Sequence, residues 1–167
     1  ILEHAGKGLK RVLLELGGKD SLIILDDADL DAAAKFAASN SFRNTGQVCV
    51  STEKIFVMEG QMREFVNKIK KYTDEIQVGP MIHSRQKDHV LQQIDEAVSG
   101  GAKIIYGDPQ KTEGNHLQPV ILVDVTPEMN IMMDETFGPV VCITAVKNEN
   151  EAVEQSNLGS YALGGVV

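Results

Sequence analysis

The sequence predicts an α/β fold: a largely parallel, twisted sheet flanked by helices. Short apolar runs alternate with stretches of helical periodicity along the chain, the pattern of successive strand–helix units. The run Ser21-Leu22-Ile23-Ile24-Leu25 is apolar almost throughout, as in strands covered on both faces. No internal repeat, low-complexity tract or linker divides the 167 residues, a length suited to one domain or to a piece of a larger one.

Taken in order, residues 1–10 read as the tail of a helix that Gly6 and Gly8 end. Arg11-Val12-Leu13-Leu14-Glu15-Leu16 reads as a strand stopped by Gly17-Gly18. After the strand at residues 21–25, Asp26-Asp27-Ala28-Asp29 is a turn with Asp29 placed to cap an alanine-rich helix from Leu30 to Phe42. Lys54-Ile55-Phe56-Val57-Met58 is a strand. Amphipathic helices follow at residues 61–72 (Met62, Phe65, Val66, Ile69 inward) and 83–99 (Val90, Leu91, Ile94, Val98 inward), the second stopped by Gly100-Gly101. Residues 103–106 and 117–123 are extended, and Pro119 predicts that part of the latter lies on an edge. Residues 140–146 form a buried strand, 148–157 a short acidic helix and 163–167 a last strand.

Composition excludes several functions. The net charge of −8 argues against nucleic acid or an anionic membrane face as the main partner. No apolar run approaches the roughly 18 residues that span a bilayer, and no signal-peptide pattern opens the chain. The four histidines do not cluster at metal-ligand spacing, and the acidic run at residues 26–31 lacks the glycine and terminal Glu of a calcium loop. No P-loop and no G-x-G-x-x-G after a strand is present. Cys142 lies in an apolar strand and reads as core; a disulfide to Cys49 is not expected, and the sequence looks cytosolic. The chain opens at Ile1 and closes on Gly165-Val166-Val167, in what reads as mid-strand, so a piece of a longer polypeptide is expected.

Four stretches depart from core patterning. In Arg43-Asn44-Thr45-Gly46-Gln47-Val48-Cys49-Val50-Ser51 a cysteine stands in a polar, glycine-containing segment where a substrate can reach it, although free cysteines are more often buried and inert. In Leu14-Glu15-Leu16-Gly17-Gly18-Lys19 a carboxylate stands between leucines. It either faces solvent on an alternating strand or, partly buried, has the raised pKa of a general base. Asp134-Glu135-Thr136-Phe137-Gly138-Pro139 is a polar-aromatic turn: either an ordinary strand entry with Phe137 as core, or a place for sugar hydroxyls and a flat ring. Asn157-Leu158-Gly159-Ser160-Tyr161-Ala162-Leu163-Gly164 most simply marks a loop.

In this order these stretches resemble the aldehyde dehydrogenase superfamily. Glu15-Leu16-Gly17-Gly18-Lys19 is similar to its glutamate signature, Phe42 through Cys49 to its cysteine signature, and Glu135-Thr136-Phe137-Gly138-Pro139-Val140 to its E-x-F-G-P motif. Weaker likeness runs through residues 28–33, 78–80, 125–129 and 161–163, so nearly the whole chain is covered. The resemblance implies a catalytic-domain fold and oxidation of a small-molecule aldehyde to a carboxylic acid with NAD or NADP. It makes Cys49 the nucleophile, with its backbone N–H half of an oxyanion hole, and Glu15 the base that activates water. It makes Glu135 the holder of the nicotinamide ribose, with Phe137, Leu16 and Gln86 on the coenzyme side and no metal. It places residues 1–19 at the C-terminal edge of a coenzyme-binding domain and residues 20–167 in an incomplete catalytic domain. The parent enzyme is then expected to be a cytoplasmic homo-oligomer that uses neither nucleic acid nor membrane.

The sequence also departs from the family's pattern. Most of the coenzyme domain and the segment lining the substrate tunnel have no counterpart here. The loop at residues 73–79 is shorter than usual, His89 stands where a Lys or Arg is common, and Ser51 rather than a second cysteine follows the nucleophile. The isolated chain is therefore expected to be inactive as a dehydrogenase. The alternatives are a non-enzymatic remnant or assembly fragment, and a cofactor-free thiol acyl-transfer or esterase activity.

Overall fold

The computed structural model describes residues 1–167. It contains a six-stranded sheet formed by β1 (Asp20–Ile24), β2 (Thr52–Met58), β3 (Lys103–Tyr106), β4 (Val120–Val123), β5 (Val140–Val146) and β6 (Gly165–Val166). Their spatial order is β3-β4-β5-β2-β1-β6, and every neighbouring pair is parallel except β3–β4. The helices are α1 (Leu2–Lys7), α2 (Leu30–Phe42), α3 (Met62–Thr73), α4 (Ser84–Ser99), α5 (Asn130–Met133) and α6 (Glu149–Ser156). The predicted α/β architecture is the observed one.

Two cores explain the continuous apolar runs. Along β2, Ile55 and Val57 join α2 and α3 on one face, while Phe56 and Met58 join α4, α5 and α6 on the other. A strand covered on both sides has no solvent face on which to alternate polar residues. Cys142, on β5, is 1% exposed and belongs to the second core. Alanines at 34, 37 and 38 are fully buried and let α2 lie close to the sheet. Asp29 caps α2 as expected, its Oδ1 accepting from the N–H groups of Asp31 and Ala32.

The structure corrects three local readings and adds one element. Residues 11–16 form no strand: they belong to no element and pair with nothing, and the sheet starts at Asp20. The hydrophobic pattern there is that of a strand, but a strand also needs a neighbour, and this chain supplies none. Pro119 does not mark an edge, because β4 lies between β3 and β5 and Pro119 falls just before it. The last strand is limited to Gly165–Val166. Asn130-Ile131-Met132-Met133, too short to show a period, forms the single helical turn α5.

Candidate active site

Cys49 lies at the amino end of β2, on a loop fixed from both sides. The chain leaves α2 through a tight turn, Arg43–Gly46, in which Asn44, Thr45 and Gly46 have φ of 52°, 60° and 69°. Left-handed backbone costs L-residues about 1–2 kcal/mol each, and β-branched residues rarely adopt it. Side chains hold the turn in place. Asn44 Nδ2 donates to the Gln47 carbonyl at 3.0 Å, Thr45 Oγ1 to the Gly79 carbonyl at 3.0 Å, and the Ile82 N–H to Gln47 Oε1 at 2.8 Å. A Cβ on Gly46 would lie 2.0 Å from the Gly138 carbonyl oxygen, so only glycine fits this approach. After the turn, the Ser51 N–H donates to the Val48 carbonyl at 2.9 Å and closes the bend that carries Cys49. Ser51 Oγ donates to the carbonyls of Asn40 and Ser41, and Asn40 Nδ2 to the Val50 carbonyl and Thr52 Oγ1. Cys49 itself is a half-buried free thiol.

The Gly17-Gly18 pair is pressed against this loop. A Cβ on Gly18 would come within 2.4 Å of the Cys49 carbonyl oxygen, and one on Gly17 within 2.4 Å of Glu135 Oε2. The Gly18 N–H donates to Glu135 Oε1 at 3.0 Å. Gly46 meanwhile abuts Gly138. Three stretches far apart in sequence therefore meet at the amino ends of the central strands.

The other sequence-predicted residues differ in how firmly they are held. Glu135 and Phe137 are half-buried on the turn before β5, and Phe137 has φ of 48°. Gln86 is half-buried on α4, and its Nε2 donates to the carbonyls of Thr136 and Phe137 at 3.0 and 3.2 Å, tying it to the same turn. Glu15 is exposed and Leu16 is 67% exposed, both on the unpaired segment. The partial burial expected of a general base at Glu15 is not supplied by the residues of this chain.

Sequence reasoning missed the charges beneath the turn. Lys19 and Glu53 form an ion pair with side chains only 2% and 3% exposed. Lys19 Nζ also donates to Thr136 Oγ1 at 3.1 Å, and Glu53 accepts from the N–H groups of Thr136 and Phe137. Beside them, burial pushes the Asp20 carboxyl above its ordinary value although the Gly164 N–H donates to it. Burial, followed by the Lys19 charge, pulls the Lys54 ammonium below its ordinary value. Lys54 Nζ donates to the carbonyls of Ser156, the last residue of α6, and Leu158 just beyond it. The sequence did carry a signal: Lys19-Asp20 and Glu53-Lys54 put charges at the mouths of strands buried on both faces, where a charge needs a partner.

A half-buried thiol, a glycine pair at its carbonyl and a carboxylate–aromatic turn, set on a largely parallel sheet, define a thiol-bearing α/β module. The residues present fit one end of a dinucleotide. Glu135 keeps Oε2 out of any hydrogen bond within the chain, and the Phe137 ring stands on the same turn. No group of three or more His, Cys, Asp or Glu is placed to hold a metal ion, and no helix is long and apolar enough to cross a membrane.

The chain belongs to the aldehyde dehydrogenase family, whose model matches residues 1–167. It is 37% identical to a chloroplastic aminoaldehyde dehydrogenase of Arabidopsis thaliana, covering 100% of this chain and 36% of that protein. It is also 37% identical to a betaine aldehyde dehydrogenase of Sinorhizobium fredii, covering 95% of this chain and 36% of the relative. Among solved structures, an Escherichia coli NADP-dependent enzyme superposes with a TM-score of 0.94 at 32% identity, over 98% of this chain and 36% of that one. An NADP-dependent glyceraldehyde-3-phosphate dehydrogenase from Bacillus halodurans, solved with NADP, gives 0.87 at 35% identity, over 97% and 37%. The chain thus spans little more than a third of the length of the relatives it matches.

Proposed function

We propose that the polypeptide to which these residues belong oxidises an aldehyde to a carboxylic acid with NAD or NADP, and that Cys49 is its nucleophile. The observation that carries this reading is the packing of Gly18 against the Cys49 carbonyl while its N–H is held by Glu135. That packing brings the glutamate, cysteine and E-x-F-G-P stretches into contact. The Cys49 thiolate adds to the aldehyde carbon, and the oxyanion of the resulting thiohemiacetal faces the Cys49 backbone N–H. Bound NAD or NADP would supply the acceptor for the hydride lost from the thiohemiacetal carbon, and the thioester would remain on Cys49. Glu15 then takes a proton from water, the hydroxide attacks the thioester carbonyl, and the Cys49 thiolate leaves. Glu135 and Phe137 orient the ribose and nicotinamide, with Leu16 and Gln86 flanking them. Residues 1–19 are the edge of the coenzyme domain and residues 20–167 part of the catalytic domain. The whole enzyme is a cytoplasmic homo-oligomer with no nucleic-acid or membrane partner.

The test is reduced-coenzyme formation by the full-length polypeptide supplied with an aldehyde panel and NAD or NADP. Cys49→Ala is expected to lower turnover by about 10⁴-fold or more, the scale seen when a nucleophile is deleted. Glu15→Gln is expected to leave acylation of Cys49 intact and to stall thioester hydrolysis. Turnover of the wild-type protein that survives in Cys49→Ala rules the reading out. The 167-residue chain alone is expected to form no reduced coenzyme at measurable rates.

A further inference from the structure

The buried pair Lys19–Glu53 has no role in the chemistry above, and its place is unusual for a charge pair. Lys19 follows the Gly17-Gly18 turn, and Glu53 is the second residue of β2, so each lies one short step along the chain from Glu15 or Cys49. Both side chains are almost completely buried. Desolvating two ions costs more than their attraction returns unless further hydrogen bonds satisfy them. Here they do. One Glu53 oxygen accepts from the Phe137 N–H at 2.9 Å, the other from the Thr136 N–H at 2.9 Å and from Lys19 Nζ, whose remaining reach goes to Thr136 Oγ1.

Two successive backbone N–H groups that converge on one carboxylate form a small anion-binding concavity, which needs a left-handed residue. Phe137 is that residue, with φ of 48°. A phenylalanine keeps such a conformation only where its surroundings enforce it. Glu53 grips the turn by its N–H groups, and Gln86 grips it by the Thr136 and Phe137 carbonyls. The turn carries Glu135 and Phe137, the residues given to the ribose and nicotinamide.

Building on the aldehyde dehydrogenase reading, we propose that Lys19 and Glu53 are positioning residues for the coenzyme. Their pair fixes the 135–137 turn so that the Glu135 carboxylate and the Phe137 ring stand ready beside Cys49, and it ties that turn to both the Glu15 and the Cys49 segments. The pair touches neither coenzyme nor substrate and acts only through the turn.

The experiment uses the full-length protein with Glu53→Gln and with the double substitution Lys19→Met/Glu53→Leu, which removes the pair without stranding a buried charge. Three quantities are read: NAD(P) affinity by calorimetry, kcat against the KM for aldehyde, and the rate of Cys49 alkylation by iodoacetamide. Loss of charge-assisted bonds to the turn is expected to weaken coenzyme binding about tenfold in both variants. The aldehyde KM and the Cys49 alkylation rate are expected to stay within about twofold. Unchanged coenzyme affinity in the double variant overturns the positioning role. So does a general loss, in which Cys49 alkylation rises to the rate of the urea-unfolded protein in both variants, because the pair is then a fold element only. A wild-type protein that binds neither NAD nor NADP instead removes the aldehyde dehydrogenase reading, and the positioning role with it.

Discussion

Around Cys49, Asn40, Asn44, Thr45, Gln47 and Ser51 each spend a side chain on a backbone carbonyl or N–H. Around Glu15 almost nothing is tied. Leu9, Leu13 and Leu16 are 94%, 89% and 67% exposed, and no ladder bond engages residues 11–16. Each segment carries a close-packed glycine, Gly46 against Gly138 and Gly18 against Cys49. The difference is what lies upstream. The Cys49 loop hangs between α2 and β2, whereas the Glu15 segment is held only from Gly17 onward. Proximity to a reactive group in sequence thus says little about how rigidly a residue is carried; the count of fixed backbone groups on either side says more.

The contrast can be broken or sharpened at several scales. The largest expected effect is in thiol labelling. Burial pushes the Cys142 thiol up to about 12, so at pH 8 very little of it is the reactive thiolate. Mass spectrometry after iodoacetamide treatment at pH 8 should find Cys49 modified and Cys142 intact until urea unfolds the chain. Modification of both at equal rates contradicts the packing of β5.

Next in size is Gly46→Ala. It places a methyl on the Gly138 carbonyl and asks alanine to adopt a φ of 69°, for a combined loss of about 3 kcal/mol. An unfolding free energy from urea titration that falls by less than about 1 kcal/mol means that the two motifs are not in contact. Asn40→Ala, which removes bonds to Val50 and Thr52, should cost about 1 kcal/mol and raise the Cys49 alkylation rate as its loop loosens. The smallest effect belongs to the other segment: Leu13→Ser should change stability by less than about 0.5 kcal/mol. Trypsin should cut after Lys10 or Arg11 before it cuts anywhere in residues 20–157. Early cleavage at Arg43 instead would reverse the comparison.

The sheet and its flanking helices were legible in the sequence because burial leaves a periodic mark: Ile55-Phe56-Val57-Met58 and Val140-Val141-Cys142-Ile143 have no polar position to spare. The Glu15 segment was misread by the same logic. Its leucines have strand character, but periodicity reports which residues want a partner, not whether one is present. At the site, the sequence pointed to Cys49, Glu135 and Phe137 through glycine-bearing signatures. It was silent on the left-handed Asn44, Thr45 and Phe137, because such conformations are imposed by contacts with distant segments. Lys19 and Glu53 lay between these cases: their oddity was visible, their partnership only in three dimensions.

The Phe137 turn also bears on the order in which the molecule assembles. Its conformation depends on Glu53, 84 residues away in the chain, and Thr136 meets Lys19 across 117. Contacts of that range form only after most of the chain's entropy of closure has been overcome. The turn therefore sets late, once β5 has docked beside β2. A nascent or partly refolded chain can hold native helices and a formed β1–β2 pair while its Phe137 turn is still unmade, so recovery of secondary structure should run ahead of recovery of the turn.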